Sequence, residues 1–321
     1  MTCRDFGQPS FVEALVTGYT YGGGFLQDID RAFNWEGFGV LLAQIHGGAK
    51  GAPGYPPVTM FKIVLLQQWY NLSDPAAEEA VRDRLSFRRF CGLPLDRETP
   101  DHSSIWRFRQ AIAALGLSEA LLAEANRQLD ARGLVVKSGT LVDATLIAAA
   151  VKPPAYGGDG LNPRDPDARF TKKRGKTYFG YKAHVAVDEG SGLVRKAQMT
   201  SANLHDIRLG EAMILGDEKG FFADKAYDSQ EMREALRKRG LADGILWKVK
   251  HKLYPLETWQ KYTNLWAGRI RSAVERAPAA MKRWYGMNRV RYLGLARNNC
   301  HLQFVATAMN MKRARVLMSG V

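Results

Sequence analysis

At Leu134 the chain changes its periodicity, and that change restricts the folds open to it more than any other feature. Before it, apolar residues recur at helical intervals. Pro57 suits the first turn of a helix carrying Met60, Ile63, Val64, Leu66 and Trp69. Asn71, Leu72 and Ser73 interrupt that run, and Asp74-Pro75 starts a second helix through Arg84. Thr99 or Asp101 can cap a third, and Ser118 a fourth that runs to Arg132 and is ended by Gly133. After Leu134 the texture is that of strands. Residues 139–146 form an apolar run, residues 178–187 alternate, Asp188 to Gly192 makes a hairpin turn, and residues 193–200 return. A helix opening at residues 203–206, a strand at 220–227, a helix through Arg239, a strand at 244–247 and a further helix follow. The reading is a lead-in at 1–56 with two short helices and a glycine-rich loop, a helical domain at 57–133, and a mixed α/β layered domain at 134–321.

Charge narrows the partners. The 321 residues carry a formal charge of +14. A balance this basic favours a polyanion, most simply nucleic acid. No run of apolar residues is long enough to span a bilayer, and the first thirty residues lack a signal-peptide pattern, so no membrane partner is expected. Cys3, Cys91 and Cys300 are few and far apart and suit a reducing cytosol. The six His are equally scattered, so a zinc centre is not expected.

The basic residues are clustered. In the helical domain, Arg107 and Arg109 follow Ser103 and Ser104 on a polar helix start, which fits a helix-turn-helix-like DNA reader. A plain bundle with a solvated basic face has the same pattern. Residues 152–176 read as a long loop bearing Lys172, Lys173, Arg174 and Lys176, which either closes over DNA or is simply solvated. Residues 289–315 read as a closing amphipathic helix with Lys312, Arg313 and Arg315 on it.

Three acids stand out against this background. Asp143 lies inside an apolar strand, where aspartate is rare without a partner. Asp224 ends the strand at 220–227, whereas Asp228 begins an acidic capping box with Glu231. Glu275 is the only acid among eleven basic residues from Asn264 onward. At about 100° per residue, Arg271, Glu275 and Lys282 share one helical stripe. That pattern suits a site holding a metal ion and a phosphate together, and it equally suits an Arg271–Glu275 surface ion pair. Trp259 and Trp266 read as core residues before base-stacking ones. The element order brings distant acids together in an RNase H-like fold.

The chain resembles the DDE transposases of bacterial insertion sequences, in the group named after insertion sequence 5. The resemblance rests on Pro57-Val58-Thr59-Met60, Thr99 to Ser104, Val142-Asp143-Ala144-Thr145, Gly180-Tyr181-Lys182-Ala183-His184, Ala202 to Asp206, and Ala223-Asp224-Lys225-Ala226-Tyr227. Arg271, Glu275 and Lys282 match a further signature, with Gly268 where a tyrosine is usual and Pro278 just past Glu275. The resemblance implies an RNase H-like catalytic domain behind a helical one. It implies that Asp143, Asp224 and Glu275 hold two Mg²⁺ ions, for which Mn²⁺ may substitute. It implies cleavage at terminal inverted repeats and joining of the 3′ ends to target DNA. Arg271, Lys282, Lys182, Arg107, Arg109, Lys172, Lys173 and Arg174 are the expected DNA contacts. A homodimer on double-stranded DNA, in the bacterial cytoplasm at the nucleoid, completes the expectation. A catalytically silent DNA-binding relative and another RNase H-like nuclease are the alternatives.

Overall fold

A computed structural model describes residues 4, 24–46, 54–155, 160–173, 175–249 and 255–319. The chain divides into two compact units, one of residues 1–128 with 307–321 and one of residues 129–306. The expected boundary after residue 133 lies close to the first division. The last residues of the expected catalytic domain, from Thr307, cluster instead with the helical unit. The expected glycine-rich loop at 47–54 lies almost wholly outside the described residues.

The helical unit contains α1 (Phe25–Ala32), α2 (Trp35–Leu42), α3 (Pro57–Tyr70), α4 (Asp74–Asp83), α5 (Leu85–Cys91), α6 (His102–Leu115) and most of α7 (Leu117–Asp130). Pro57 is in the first turn of α3, and Asn71 closes it in the left-handed conformation. Residues 59–68 of α3 are all buried, so this helix is the axis around which the others pack. Phe38 stacks on Phe61, while Trp69 meets Phe25 and Phe90. Lys62 is buried with them, its ammonium 2.6 Å from Asp30 and over the Trp35 ring. Ser73, not Asp74, caps α4, and Asp101 caps α6 by accepting from the Ser104 amide at 2.8 Å.

The second unit is built on one mixed sheet. Its strands are β1 (Thr140–Ala148), β2 (Arg169–Lys173), β3 (Lys176–Asp188), β4 (Val194–Ser201), β5 (Gly220–Ala223) and β6 (Ala242–Ile245). β3 pairs antiparallel with β1, β2 and β4, while β1, β5 and β6 run parallel. The path β4-β3-β1-β5-β6 is RNase H-like, with β2 added at the open end of β3. One face is sealed by Val142, Ala186, Phe221, Tyr227, Leu236 and Ile245. Helix α8 (Gln230–Lys238) lies between β5 and β6 in sequence, and α9 (Thr258–Arg271), α10 (Arg276–Trp284) and α11 (Leu295–Met318) follow.

Four local expectations change. The loop at 152–176 contains β2, hairpinned onto β3 from Arg169↔Gly180 to Lys173↔Lys176. The helix after Asp206 is a short turn, Ile207–Gly210, followed by a 3-10 turn. Ser229 caps α8 in place of Asp228, which pairs with Arg233 at 3.0 Å. The helix bearing Glu275 is not continuous, because a 3-10 turn, Ser272–Glu275, separates α9 from α10. Pro278 accounts for this, since it cannot donate to the Val274 carbonyl and its ring crowds it.

Candidate active site

Register places the first two acids. Val142 pairs with Ala223 across parallel β1 and β5, and Asp143 and Asp224 each come one residue later. Successive side chains alternate faces. Val142 and Ala223 therefore point into the sealed core, and the two acids point together to the other face. Extended backbone at Asp224 ends β5, and its carboxylate accepts from the Lys225 amide at 2.7 Å, capping the turn Lys225–Tyr227.

The two carboxylates converge on one cation. Arg271, in the last turn of α9, donates from Nη2 to Asp143 Oδ1 at 2.9 Å and stands 4.0 Å from Asp224 Oδ2. Burial raises the Asp143 carboxyl above its ordinary range, and the Arg271 charge offsets part of that shift. Lys282 on α10 is near enough to feel both Lys173 and Asp143; burial lowers its ammonium, the Lys173 charge lowers it further, and Asp143 opposes both. Beneath the acids, the buried Tyr227 hydroxyl lies 3.3 Å from His184 Nδ1, and His184 Nε2 lies 3.0 Å from the Thr200 hydroxyl. Burial pushes the His184 imidazole down to about 4. Three residues after Asp224, Tyr227 ties the turn that carries this acid to β3. The pairing of Tyr227 with His184 was not foreseen, although both residues lie in the blocks that carry the resemblance.

Glu275 does not join the pair. It is exposed on the 3-10 turn, and among the described residues no group of three His, Cys, Asp or Glu is placed to hold a metal ion. The ion pairs of Arg271 are to Asp143 and Asp224, not to Glu275. The donors at Asp143 and Asp224 are hard oxygens that already share one cation, and this fits Mg²⁺ or Mn²⁺.

The expected DNA contacts sort by exposure. Arg107 is exposed at the start of α6 and bonds within its own helix to Ser103 and Ser104. Lys172 and Lys173 are exposed on β2, and Arg174 lies outside the described residues. One expectation is corrected, and a second residue has partners within the protein. Arg109 is buried with its guanidinium on both Asp74 oxygens and on Gln67, because it lies on the inner face of α6. Lys182 is pinned by Asp206 at 2.8 Å and the Leu204 carbonyl at 2.7 Å. Burial on the inner face of its helix keeps Arg109 from a phosphate. Trp259 and Trp266 are also corrected: they are 51% and 47% exposed, Trp259 against Trp247 and Trp266 against Phe222.

Residues 136–311 match the family described as Transposase DDE domain, and residues 16–111 match the one described as Transposase domain (DUF772). The chain belongs to the DDE transposase family. This transposase is a metal-dependent, DNA-cleaving enzyme. Among solved structures, a piggyBac transposase synaptic complex with hairpin DNA is 10% identical, with a TM-score of 0.44 over 96% of this chain and 76% of that one. A pre-cleavage Mos1 transpososome is 9% identical, with a TM-score of 0.22 over 84% of this chain and 99% of that one. Likenesses this distant carry nothing about the site. No helix among the described residues of the transposase is long and apolar enough to cross a membrane.

Proposed function

We propose that this transposase belongs to the insertion sequence 5 group, cuts at the terminal inverted repeats of its element and joins the freed 3′ ends to target DNA. The observation that carries this is the meeting of Asp143 and Asp224 on adjacent parallel strands, with the Arg271 guanidinium between them. Asp143 and Asp224 would hold Mg²⁺, and Glu275, which stands apart from them here, would complete the family's ligand set only by moving toward them. Divalent ions held by these residues would supply activation of the attacking oxygen and charge neutralisation at the leaving oxygen. The protein's part is positioning and charge. Lys282 and Lys173 bring cations to the strand that passes the acids. Tyr227 and His184 hold the Asp224 turn against β3. Arg107 and the exposed start of α6 contact duplex DNA as part of a helix-turn-helix-like reader. Two copies pairing two ends is the simplest assembly, acting in the bacterial cytoplasm on the nucleoid.

The test is strand cleavage and joining on duplexes carrying the repeats that flank the gene, with Mg²⁺. The unmutated chain gives joined product. Asp143→Asn and Asp224→Asn each lower it by about a hundredfold or more. Joining by Asp143→Asn at the unmutated rate refutes the assignment. Full activity in Glu275→Gln would remove the third ligand and leave a two-acid site.

A further inference from the structure

Arg271 occupies the place between the two acids where the reading above puts a divalent ion. Its Nη2 bonds Asp143 and faces Asp224, and its side chain is only 16% exposed. The hold is incomplete. Nε of Arg271 is buried with no hydrogen-bond partner among the described residues. A buried donor left unpaired is costly, so this contact is weaker than its short distance suggests. A guanidinium and a divalent ion are both cations, so they cannot share that space. It has to leave. Arg271 ends α9 and is followed at once by the 3-10 turn, where backbone bonding is weaker than in an α-helix. Lys173 and Lys282 flank the same carboxylate.

We infer that Arg271 is a removable counter-ion: it holds Asp143 and Asp224 until a divalent ion displaces it, and then binds a DNA phosphate beside Lys173 and Lys282. Metal and DNA thereby tighten one another's binding, and by linkage the effect is reciprocal. The inference rests on the reading that Asp143 and Asp224 hold the metal.

The experiment is Mn²⁺ binding to the full chain, followed by electron paramagnetic resonance, with and without a short duplex of arbitrary sequence. Without DNA, Arg271→Gln binds Mn²⁺ about fivefold tighter or more than the unmutated chain. Adding the duplex tightens Mn²⁺ binding in the unmutated chain, and that gain shrinks in Arg271→Gln. Equal or weaker Mn²⁺ binding by Arg271→Gln overturns the inference, and so does an undiminished gain from DNA. If circular dichroism shows Arg271→Gln unfolded, Arg271→Lys is judged by the same two comparisons, since its shorter side chain loosens the same contact. Asp143→Asn separates the two levels. Unchanged Mn²⁺ binding in Asp143→Asn defeats the metal reading itself. Lost binding there, with no gain in the Arg271 variants, defeats only the counter-ion.

Discussion

Arg107 and Arg109 are two residues apart on one helix and do different work. Arg107 projects from α6, whereas Arg109 grips Asp74 inside the bundle. Removing one member of a buried pair leaves the other charge stranded, at about 3–5 kcal/mol. Arg109→Ala is therefore expected to lower urea stability by about that amount. Arg107→Ala should leave stability alone and reduce the salt dependence of DNA binding by about one phosphate contact. Fluorescence titrations at several salt concentrations read the second effect. His184 gives a separate, pH-dependent outcome. Its folded value, about 4, lies below the ordinary 6.5, so the unfolded chain binds more protons between those values. Stability from this group is complete above 6.5 and is lost as pH falls toward 4, at up to about 1.4 kcal/mol per pH unit. Urea unfolding across that window should show the loss, and His184→Asn should flatten it.

At the level of elements, the β1–β3 ladder sets where Asp143 stands. Gly180 sits in it with φ +151°, and a Cβ there would lie 2.3 Å from the Ile147 carbonyl oxygen. Gly180→Ala is expected to cost about 2 kcal/mol or more and to lower joining activity, both measurable on purified protein. How much of this was legible in the sequence depends on range. Asp143 and Asp224 could be singled out because an acid in or ending an apolar strand conflicts with its surroundings, and such conflicts are local. Pro57, Asn71 and Asp101 likewise act within a turn or two of chain. The partner of Arg271 was not legible, because an ion pair four residues away and one across the sheet leave the same trace in the sequence. Arg109 was misread for a similar reason: the face of α6 it occupies is decided by Asp74 on another helix. The 3-10 turn before Pro278 was only half visible, since proline warns of a break without saying on which side it falls. β2 was missed because its Lys-rich residues look like loop and pair only once β3 is in place.

For the whole molecule, the charge of +14 makes DNA binding steeply salt-dependent. The logarithm of affinity should fall with the logarithm of salt at about 0.9 per phosphate contacted. The helical unit also takes its last part from the end of the chain. The Trp69 indole donates to the Ala308 carbonyl at 2.9 Å, and Arg315 pairs with Asp28 at 2.7 Å. Deleting residues 307–321 should therefore lower the melting temperature of the helical unit, as scanning calorimetry would record.

That arrangement has a temporal side. During translation, residues 129–306 emerge from the ribosome before Thr307 and all that follows it. The catalytic unit is thus fully synthesised while the helical unit, begun first, still lacks the strip against which Trp69 and Asp28 close. A nascent chain acquires Asp143, Asp224 and Glu275 before its bundle is whole.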